Sequence, residues 1–451
     1  MKDINKLTLD MTRGKPSALL LRFSLPLVAG NLFQQFYTFA DTLIVGQKLG
    51  VHALAALGAT EWLSFLMFGF IQGLTQGFSI NVSKYFGEEN EELVQQNIFH
   101  ALIASVGAAI LFTLFGQVMI VPLLKLLHTP GELLGMAALY IRILYLGIPV
   151  CVAYNMTAAL LRAFGNSRAP LTAMTIASFS NIALDLLFVM VFEMGIEGAA
   201  CATLLAQAFA AIYCILALCR IEQAKVKLGN TKWSFRIVSE QMKLGVPMGF
   251  QNVITAAGGL VVQSVVNGFG ILFLAGYTAA NKLYGLLEIA ASSYGYAIST
   301  YTAQNAGAGQ KERIRTGLIA ALKMGAVTAY LMSFIMLVFG KPILGLFIVD
   351  VQVEAAEAIW IGYRFLCILA VFFPLLYIVY IIRSCIQGMG NSIMPMLSSL
   401  MQVLMRILCA LVLTKIIGST GVFWGEVMAW LFADIFFLYA FLRQYRRFFQ
   451  L

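Results

Sequence analysis

Charge is scarce in this 451-residue chain. Asp, Glu, Lys and Arg make up 11% of the residues and hydrophobic types 60%, whereas a soluble domain is about 25% charged and about 45–50% apolar. A soluble fold of this length cannot hide so much apolar surface. The composition therefore excludes an ordinary soluble protein and predicts a membrane protein.

Residues typical of metal and hydrolytic chemistry are also sparse. The chain has three histidines, no HExxH pattern and no GxxxxGK[ST] phosphate loop. Its seven cysteines are odd in number and lie in apolar stretches, so they are interpreted as small hydrophobic residues. These absences argue against an enzyme, a resident metal and ATP as the energy source, and we expect no cofactor.

Long apolar runs are present instead. Each is about 20 residues or longer, which is enough to cross a hydrocarbon core of about 30 Å. We predict an all-α integral membrane protein with twelve transmembrane helices. The predicted spans are 19–46, 53–82, 94–118, 132–160, 168–191, 197–219, 241–268, 272–300, 314–339, 355–384, 393–416 and 421–443.

The orientation follows from the basic residues in the loops and at the ends of these spans. With the N-terminus inside, 21 Lys and Arg face the cytoplasm, and four face outward: Lys48, Lys125, Lys341 and Lys415. This asymmetry predicts a multi-pass protein of the plasma (inner) membrane with both termini cytoplasmic. It also explains the formal net charge of +9 without a nucleic-acid partner, and none is expected.

An internal repeat divides the chain in two. Leu25-Pro26 recurs as Val246-Pro247, and Gly165-Asn166-Ser167 recurs as Gly390-Asn391-Ser392. We predict two pseudo-symmetric six-helix lobes, residues 1–221 and 241–451, joined by a cytoplasmic linker at 222–240. Two similar bundles that rock about a shared cleft are typical of secondary transporters.

Acidic residues inside the spans are the main functional candidates, because charge at membrane depth is costly. In the first span, Gln34, Tyr37 and Asp41 share one helix face, and in the fifth, Asn181 and Asp185 share another. Two carboxylates without a basic partner in the same helices repel each other unless a proton or cation lies between them. The acidic residues of the first half therefore predict a cation or proton site there.

Further oxygen donors lie in neighbouring spans. Asn155, Thr203 and Gln207 add amide and hydroxyl oxygens, which suit hard cations such as Na⁺. The alternative is that these polar side chains only hydrogen-bond helices to one another. The second half repeats neither carboxylate: its deep acid is Glu288, which either faces a central cleft or pairs with Lys282 or Arg406.

Several motifs resemble the multidrug and toxic compound extrusion (MATE) family. They are Leu25-Pro26, Asp41-Thr42, the loop Arg162-Ala163-Phe164-Gly165-Asn166-Ser167, the Asn181 to Asp185 helix and Gln304-Asn305-Ala306-Gly307-Ala308. The resemblance covers about residues 15–445. It implies a twelve-helix antiporter that exports organic cations in exchange for H⁺ or Na⁺.

Within the family, the pattern is similar to the DinF-like branch. That likeness implies a coupling-ion site at Asp41, Asn155, Asn181, Asp185 and Thr203, with Na⁺, if it is the ion, at the two aspartates. The NorM-like branch places an acid where this chain has Thr255, which argues against an ion site in the second half. The substrate cavity is expected to include Gln34, Tyr37, Gln207 and Glu288.

One transport alternative stays open. A lipid-linked oligosaccharide or polysaccharide flippase of the same superfamily needs a basic cavity for phosphate groups. Arg406 and Lys282 favour it, whereas Asp41 and Asp185 oppose it. For the antiporter, the expected partners are small organic cations and the lipid bilayer, and we expect a monomer.

Overall fold

The computed structural model describes residues 8–127, 129–226, 232–348 and 352–449. The structure is helical almost throughout. In the first half the helices are α1 (Pro16–Gly50), α2 (His52–Gly87), α3 (Glu91–Leu126), α4 (Gly131–Leu146), α5 (Ile148–Ala163), α6 (Arg168–Asp185) and α7 (Ile196–Cys219). In the second half they are α8 (Phe235–Asn267), α9 (Ile271–Gly307), α10 (Lys311–Phe347), α11 (Gln352–Gly388), α12 (Ile393–Leu408), α13 (Thr414–Ile417) and α14 (Thr420–Phe449).

Twelve spans account for these helices. Ten described helical segments are long and apolar enough to cross a membrane, and α4 with α5, bent by 48°, forms an eleventh. The twelfth is α9, which is 37 residues long. The predicted all-α fold with twelve spans is therefore confirmed, and the bend within the fourth span was not predicted.

The apolar face of α3 shows why such helices need lipid. Val106, Ile110, Leu114 and Val118 follow one another at four-residue spacing and are 57–74% exposed. Side chains four apart lie on one face of a helix. In water this stripe would be an aggregation site, whereas in a bilayer it contacts acyl chains.

The internal repeat is visible in the backbone. Eight of the ten residues with positive φ form four pairs whose members are 220 to 225 positions apart: Gly50 and Gly270, Glu89 and Gly309, Gly165 and Gly390, and Gly195 and Gly418. Each pair ends or joins helices at equivalent points of the two halves. The Gly-Asn-Ser loops also share a cap, because Asn166 Oδ1 accepts from Ala169 N at 3.0 Å and Asn391 Oδ1 from Met394 N at 3.2 Å.

A π-helical turn also recurs in the two halves. α6 continues as the π-helix Leu186–Val191, and α12 continues as the π-helix Cys409–Leu413. π-Helical turns are rare and occur mostly at functional sites. Both turns were missing from the prediction, because hydrophobic periodicity does not distinguish them from ordinary helix in an apolar run.

The backbone contacts separate two structural units. The first holds the N-terminal residues up to Arg13 with Leu25–Val253 and Ala303–Gly309; the second holds Gly14–Ser24, Ile254–Thr302 and Gln310–Leu451. The division into lobes 1–221 and 241–451 with a linker at 222–240 stays a prediction. Residues 227–231 of that linker lie outside the described residues.

Glycines bring α2 and α8 into backbone contact within the first unit. Gly73 and Gly77 on α2 face Gly245 and Gly249 on α8, both at four-residue spacing. A Cβ on Gly77 would lie 2.4 Å from the Gly245 Cα atom. Helices in membranes commonly pack through such small residues, because there the backbones can approach closely.

Candidate functional site

Asp41 on α1 and Asp185 at the end of α6 meet inside the first unit. Asp41 is 9% exposed and Asp185 is fully buried. Their carboxyl groups lie within hydrogen-bond reach of each other. Ionised carboxylates only accept hydrogen bonds, so the two groups can hydrogen-bond to each other only when one of them is protonated. If both are ionised, they repel each other unless a cation lies between them.

Basic side chains do not neutralise this pair. In the part of the chain that the structure describes, no Lys or Arg lies within ion-pair distance of Asp41 or Asp185. Both oxygens of Asp185 and Oδ1 of Asp41 are buried without a hydrogen-bond donor among the described protein groups. A buried charge in that position is strongly unfavourable unless it binds an ion or a proton.

The first helix presents its polar face as its spacing predicts. Tyr37 interacts electrostatically with Asp41, and its hydroxyl hydrogen-bonds with the side chains of Gln34 and Thr38. Gln34 is exposed, Tyr37 half-buried and Asp41 buried, so polarity continues from an accessible side chain to the carboxyl group. This gradient is suited to the passage of a proton or a small cation.

Asn181 lies one turn before Asp185 on the same helix and is fully buried. Its Nδ2 donates to Thr203 Oγ1 on α7 at 3.5 Å, whereas its Oδ1 has no partner among the described residues. The amide is therefore oriented with its donor toward α7, which leaves the oxygen available to a cation. On α7, Gln207 Oε1 is likewise buried without a described partner.

Unlike Asn181, Asn155 hydrogen-bonds within its own helix. Its Nδ2 donates to the carbonyl oxygen of Cys151 at 2.9 Å and contacts the Cys151 Sγ atom at 3.3 Å. The amide nitrogen thus bonds to its own helix, α5. Its role as a cation ligand stays a prediction.

Tyr140 on α4 joins the site and was not predicted. It is 7% exposed and lies close enough to Asp41, Asp185 and Tyr37 for electrostatic interaction with all three. A phenol hydroxyl can donate to a carboxylate or accept from a carboxylic acid. The sequence gives little signal for it, because Tyr140 lies on another span amid apolar residues and only tertiary packing brings it to the carboxyl groups.

Glu288 belongs to a separate polar cluster in the second unit. The Tyr380 hydroxyl donates to Glu288 Oε1, and the Tyr284 hydroxyl also hydrogen-bonds to this carboxylate. Arg406 instead forms an ion pair with Glu426 on α14, with an Nη2 to Oε2 distance of 2.8 Å. Arg406 was considered in the sequence as a partner of Glu288, whereas in the structure it pairs with Glu426, which was not predicted.

A resident metal site would need several His, Cys, Asp or Glu side chains close together. Among the residues with described positions, no three or more His, Cys, Asp or Glu side chains are placed to hold a metal ion. The oxygen donors near Asp41 are two carboxylates, an amide and a hydroxyl. Oxygen donors of this kind suit hard cations rather than soft metals.

The comparison with known families identifies the fold and its class. The sequence model of the MatE family matches residues 26–187 and 247–412, which include both Asp41 and Asp185. This chain belongs to the MATE family. The resemblance drawn from the motifs is thereby confirmed, and the chain is a multi-pass membrane transporter.

Relatives of this MATE transporter cover nearly its whole length. The probable multidrug resistance protein YpnP of Bacillus subtilis is 28% identical over 427 residues, which is 94% of each chain. An FAD transporter of Shewanella oneidensis is 26% identical over 79% of each chain. A crystal structure of a MATE protein in complex with MaL6 superimposes with a TM-score of 0.90 at 23% identity, covering 98% of this chain and 99% of the other, and shows the same fold.

Proposed function

We propose that this MATE transporter is a secondary active antiporter that exports organic cations or drugs in exchange for H⁺ or Na⁺ by alternating access. The observation that carries this proposal is the contact between the carboxyl groups of Asp41 and Asp185, buried without a basic partner. Such a pair must bind a proton or a cation in at least one step of the cycle. The probable multidrug resistance protein among its relatives supports drugs as the cargo.

The coupling step uses the residues of the first unit. A proton would be held between the carboxyl groups of Asp41 and Asp185, close to the hydroxyl groups of Tyr37 and Tyr140, which can donate hydrogen bonds to the carboxyl oxygens. Na⁺ would also bind Asn181 Oδ1. Binding of either ion removes the repulsion between the carboxylates and so favours the conformation in which they touch. Ion and drug are then coupled because each favours a different conformation, and this coupling is reciprocal.

We expect the ion gradient to be the energy source. In proteoliposomes that hold the transporter, dissipating the gradient should reduce ethidium export to the level of protein-free vesicles, even with ATP inside. The physical reason is that uphill export needs the free energy of the ion moving the other way. Export that persists in de-energised vesicles loaded with ATP would contradict secondary transport.

The proposed orientation places both termini in the cytoplasm of a cell whose plasma membrane holds the protein. In a variant without the seven native cysteines, Glu222→Cys should react with an impermeant thiol reagent only from the cytoplasmic side. Met194→Cys should react only from the outside. Both side chains are exposed, so labelling reports the side of the membrane rather than burial. The reverse pattern would overturn the orientation.

The flippase alternative is less well supported by the charges. Such a cargo carries phosphate groups, which need unpaired basic side chains. Of the two basic residues that favour this alternative, Arg406 is ion-paired with Glu426, which leaves Lys282 as its support. The relative that is named an FAD transporter keeps phosphate-bearing cargo among those to test in the flux assay.

A further inference from the structure

Asp434 on α14 is a deep acid of the second unit that the proposed coupling site does not use. Both of its carboxylate oxygens are buried, and neither has a hydrogen-bond partner among the described protein groups. It also forms no ion pair within the described residues. An ionised carboxylate in this state would be highly unfavourable, so the group carries a proton in this conformation.

The helix that holds Asp434, α14, packs against α12. The two helices are antiparallel, being consecutive spans, and the Arg406 to Glu426 ion pair at 2.8 Å fixes their register. Residues four positions apart lie on one helix face. Four residues before Arg406 on α12 and four after Glu426 on α14, this register aligns Gln402 with Trp430. Four residues further on each helix, it aligns Ser398 with Asp434.

The aligned positions carry polar groups that also lack partners. Trp430 and Ser398 are fully buried and Gln402 is 8% exposed. The Trp430 Nε1, Gln402 Nε2 and Ser398 Oγ atoms have no hydrogen-bond partner among the described residues. Buried polar groups are nearly always paired, and here two N–H donors and a hydroxyl lie along the same helix pair as a carboxyl group that needs donors once ionised.

The α-helical geometry of α12 is interrupted near this cluster. α12 passes into its π-helical turn, Cys409–Leu413, three residues after Arg406. Trp430 stays anchored by its rings, since it stacks on Tyr284 at 6.1 Å between centroids and meets Phe373 edge-on at 6.2 Å. A shift of α12 against this anchored helix would change which polar groups meet Asp434.

Other charged and titratable groups lie on the elements packed near α14, and two of them have partners of their own. On α12, Arg406 is paired with Glu426, and on α11 the Arg383 guanidinium lies over the Tyr380 ring at 4.2 Å. The remaining such groups on α9, α11, α13 and the π turn are Tyr277, Lys282, Tyr284, Glu288, Tyr294, Tyr296, Tyr301, Glu357, Tyr363, Arg364, Cys367, Tyr377, Cys385, Cys409 and Lys415.

We propose that Asp434 is a second proton-binding group of this transporter. It is neutral in the conformation described here, and it ionises in another conformation in which Trp430 Nε1 and Gln402 Nε2 donate hydrogen bonds to the carboxylate. One proton passes between the carboxyl group and water, without any electron transfer. Its part in transport rests on the proposed antiport, whereas the protonation itself does not.

Infrared difference spectroscopy on the full-length transporter in lipid tests this proposal directly. The C=O stretching band of protonated carboxyl groups is recorded as the buffer is made alkaline, for the parent and for Asp434→Asn. We expect the parent to lose one more titrating carboxyl group than the variant. The proposal would be overturned if the two proteins gave equal carboxyl signals. It would also be overturned if the band that Asp434→Asn lacks did not decrease in the parent as the pH is raised.

A second variant keeps the test valid if Asp434→Asn does not fold. Trp430→Phe removes the N–H donor but keeps an aromatic ring, so the ionised carboxylate loses a partner and less of the Asp434 band should disappear at a given alkaline pH. An unchanged titration in Trp430→Phe would contradict the role given to that donor.

The experiments distinguish a wrong assignment of Asp434 from a wrong assignment of the coupling site at Asp41 and Asp185. Asp185→Asn should remove a different carboxyl signal, and its effect should add to that of Asp434→Asn, because the two residues lie in separate units. If the Asp434 signal is absent while Asp185→Asn still abolishes coupled export, only the second site is wrong. Transport by Asp434→Asn is expected to move one proton fewer per ethidium exported.

Discussion

Replacing either Asp41 or Asp185 with asparagine should abolish coupled export of ethidium. Asparagine keeps the size of the side chain but neither titrates nor carries the negative charge that attracts Na⁺. Coupling free energies between two ligands are typically about 1–3 kcal/mol, so losing the ion site should remove a change of about 5- to 150-fold in ethidium affinity that the ion causes. Ion-driven export should then fall to the level of protein-free vesicles. Ion-driven flux in proteoliposomes at matched protein levels measures it.

The same assay contains its control. Thr255→Ala changes the position at which the NorM-like branch carries an acid, and it should export like the parent protein. Ethidium binding to detergent-purified Asp41→Asn and Asp185→Asn should persist, which would show that both are folded. If both variants exported like the parent, the site in the first unit would be wrong and Glu288 would become the leading candidate.

Gly77→Ala should destabilise the transporter strongly. The added methyl group would lie 2.4 Å from the Gly245 Cα atom and 2.6 Å from its nitrogen, so α2 and α8 would have to separate. Overpacking typically costs about 1–3 kcal/mol and occasionally more, and a backbone contact is the least able to yield. A clear fall in the midpoint of thermal unfolding in detergent is expected.

Gly58→Ala on the same helix is the matched control. A Cβ atom at Gly58 meets nothing within 4 Å. Alanine is favoured over glycine in helices by about 1 kcal/mol, so this variant should unfold at the same temperature as the parent or slightly above it. Equal unfolding temperatures for Gly77→Ala and the parent would show that the two helices are not packed as described.

The sequence predicts the helices well because their signal is local. Long apolar runs bounded by charged or glycine-containing loops mark most of the spans. The span formed by α6 and its π-helical turn, Arg168–Val191, and the span formed by α12 and α13, Ile393–Ile417, agree with the predicted boundaries to within one residue. The ends of α10 and α11 extend further than predicted. Hydropathy marks the part of a helix inside the lipid, whereas α11 runs 37 residues from Gln352 to Gly388.

The candidate site is only partly readable in the sequence. Helix spacing places Gln34, Tyr37 and Asp41 on one face, and membrane depth singles out Asp185. Sequence spacing does not reveal that Asp41 meets Asp185, or that Tyr140 joins them, because those contacts connect three different spans. The lack of a hydrogen-bond partner for Asp434 also depends on tertiary packing, because it is determined by the side chains of neighbouring helices, which local sequence does not reveal.

The two π-helical turns bear on the ancestry of the chain. A π turn holds about one residue more than an α-helical turn, so a one-residue insertion into an older α-helix would produce it. Leu186–Val191 and Cys409–Leu413 lie at equivalent points of the repeat. The simplest history is a single insertion in an ancestral six-helix protein, followed by duplication of its gene. On that history the extra residue is older than the divergence that left the paired carboxyl groups in one half alone.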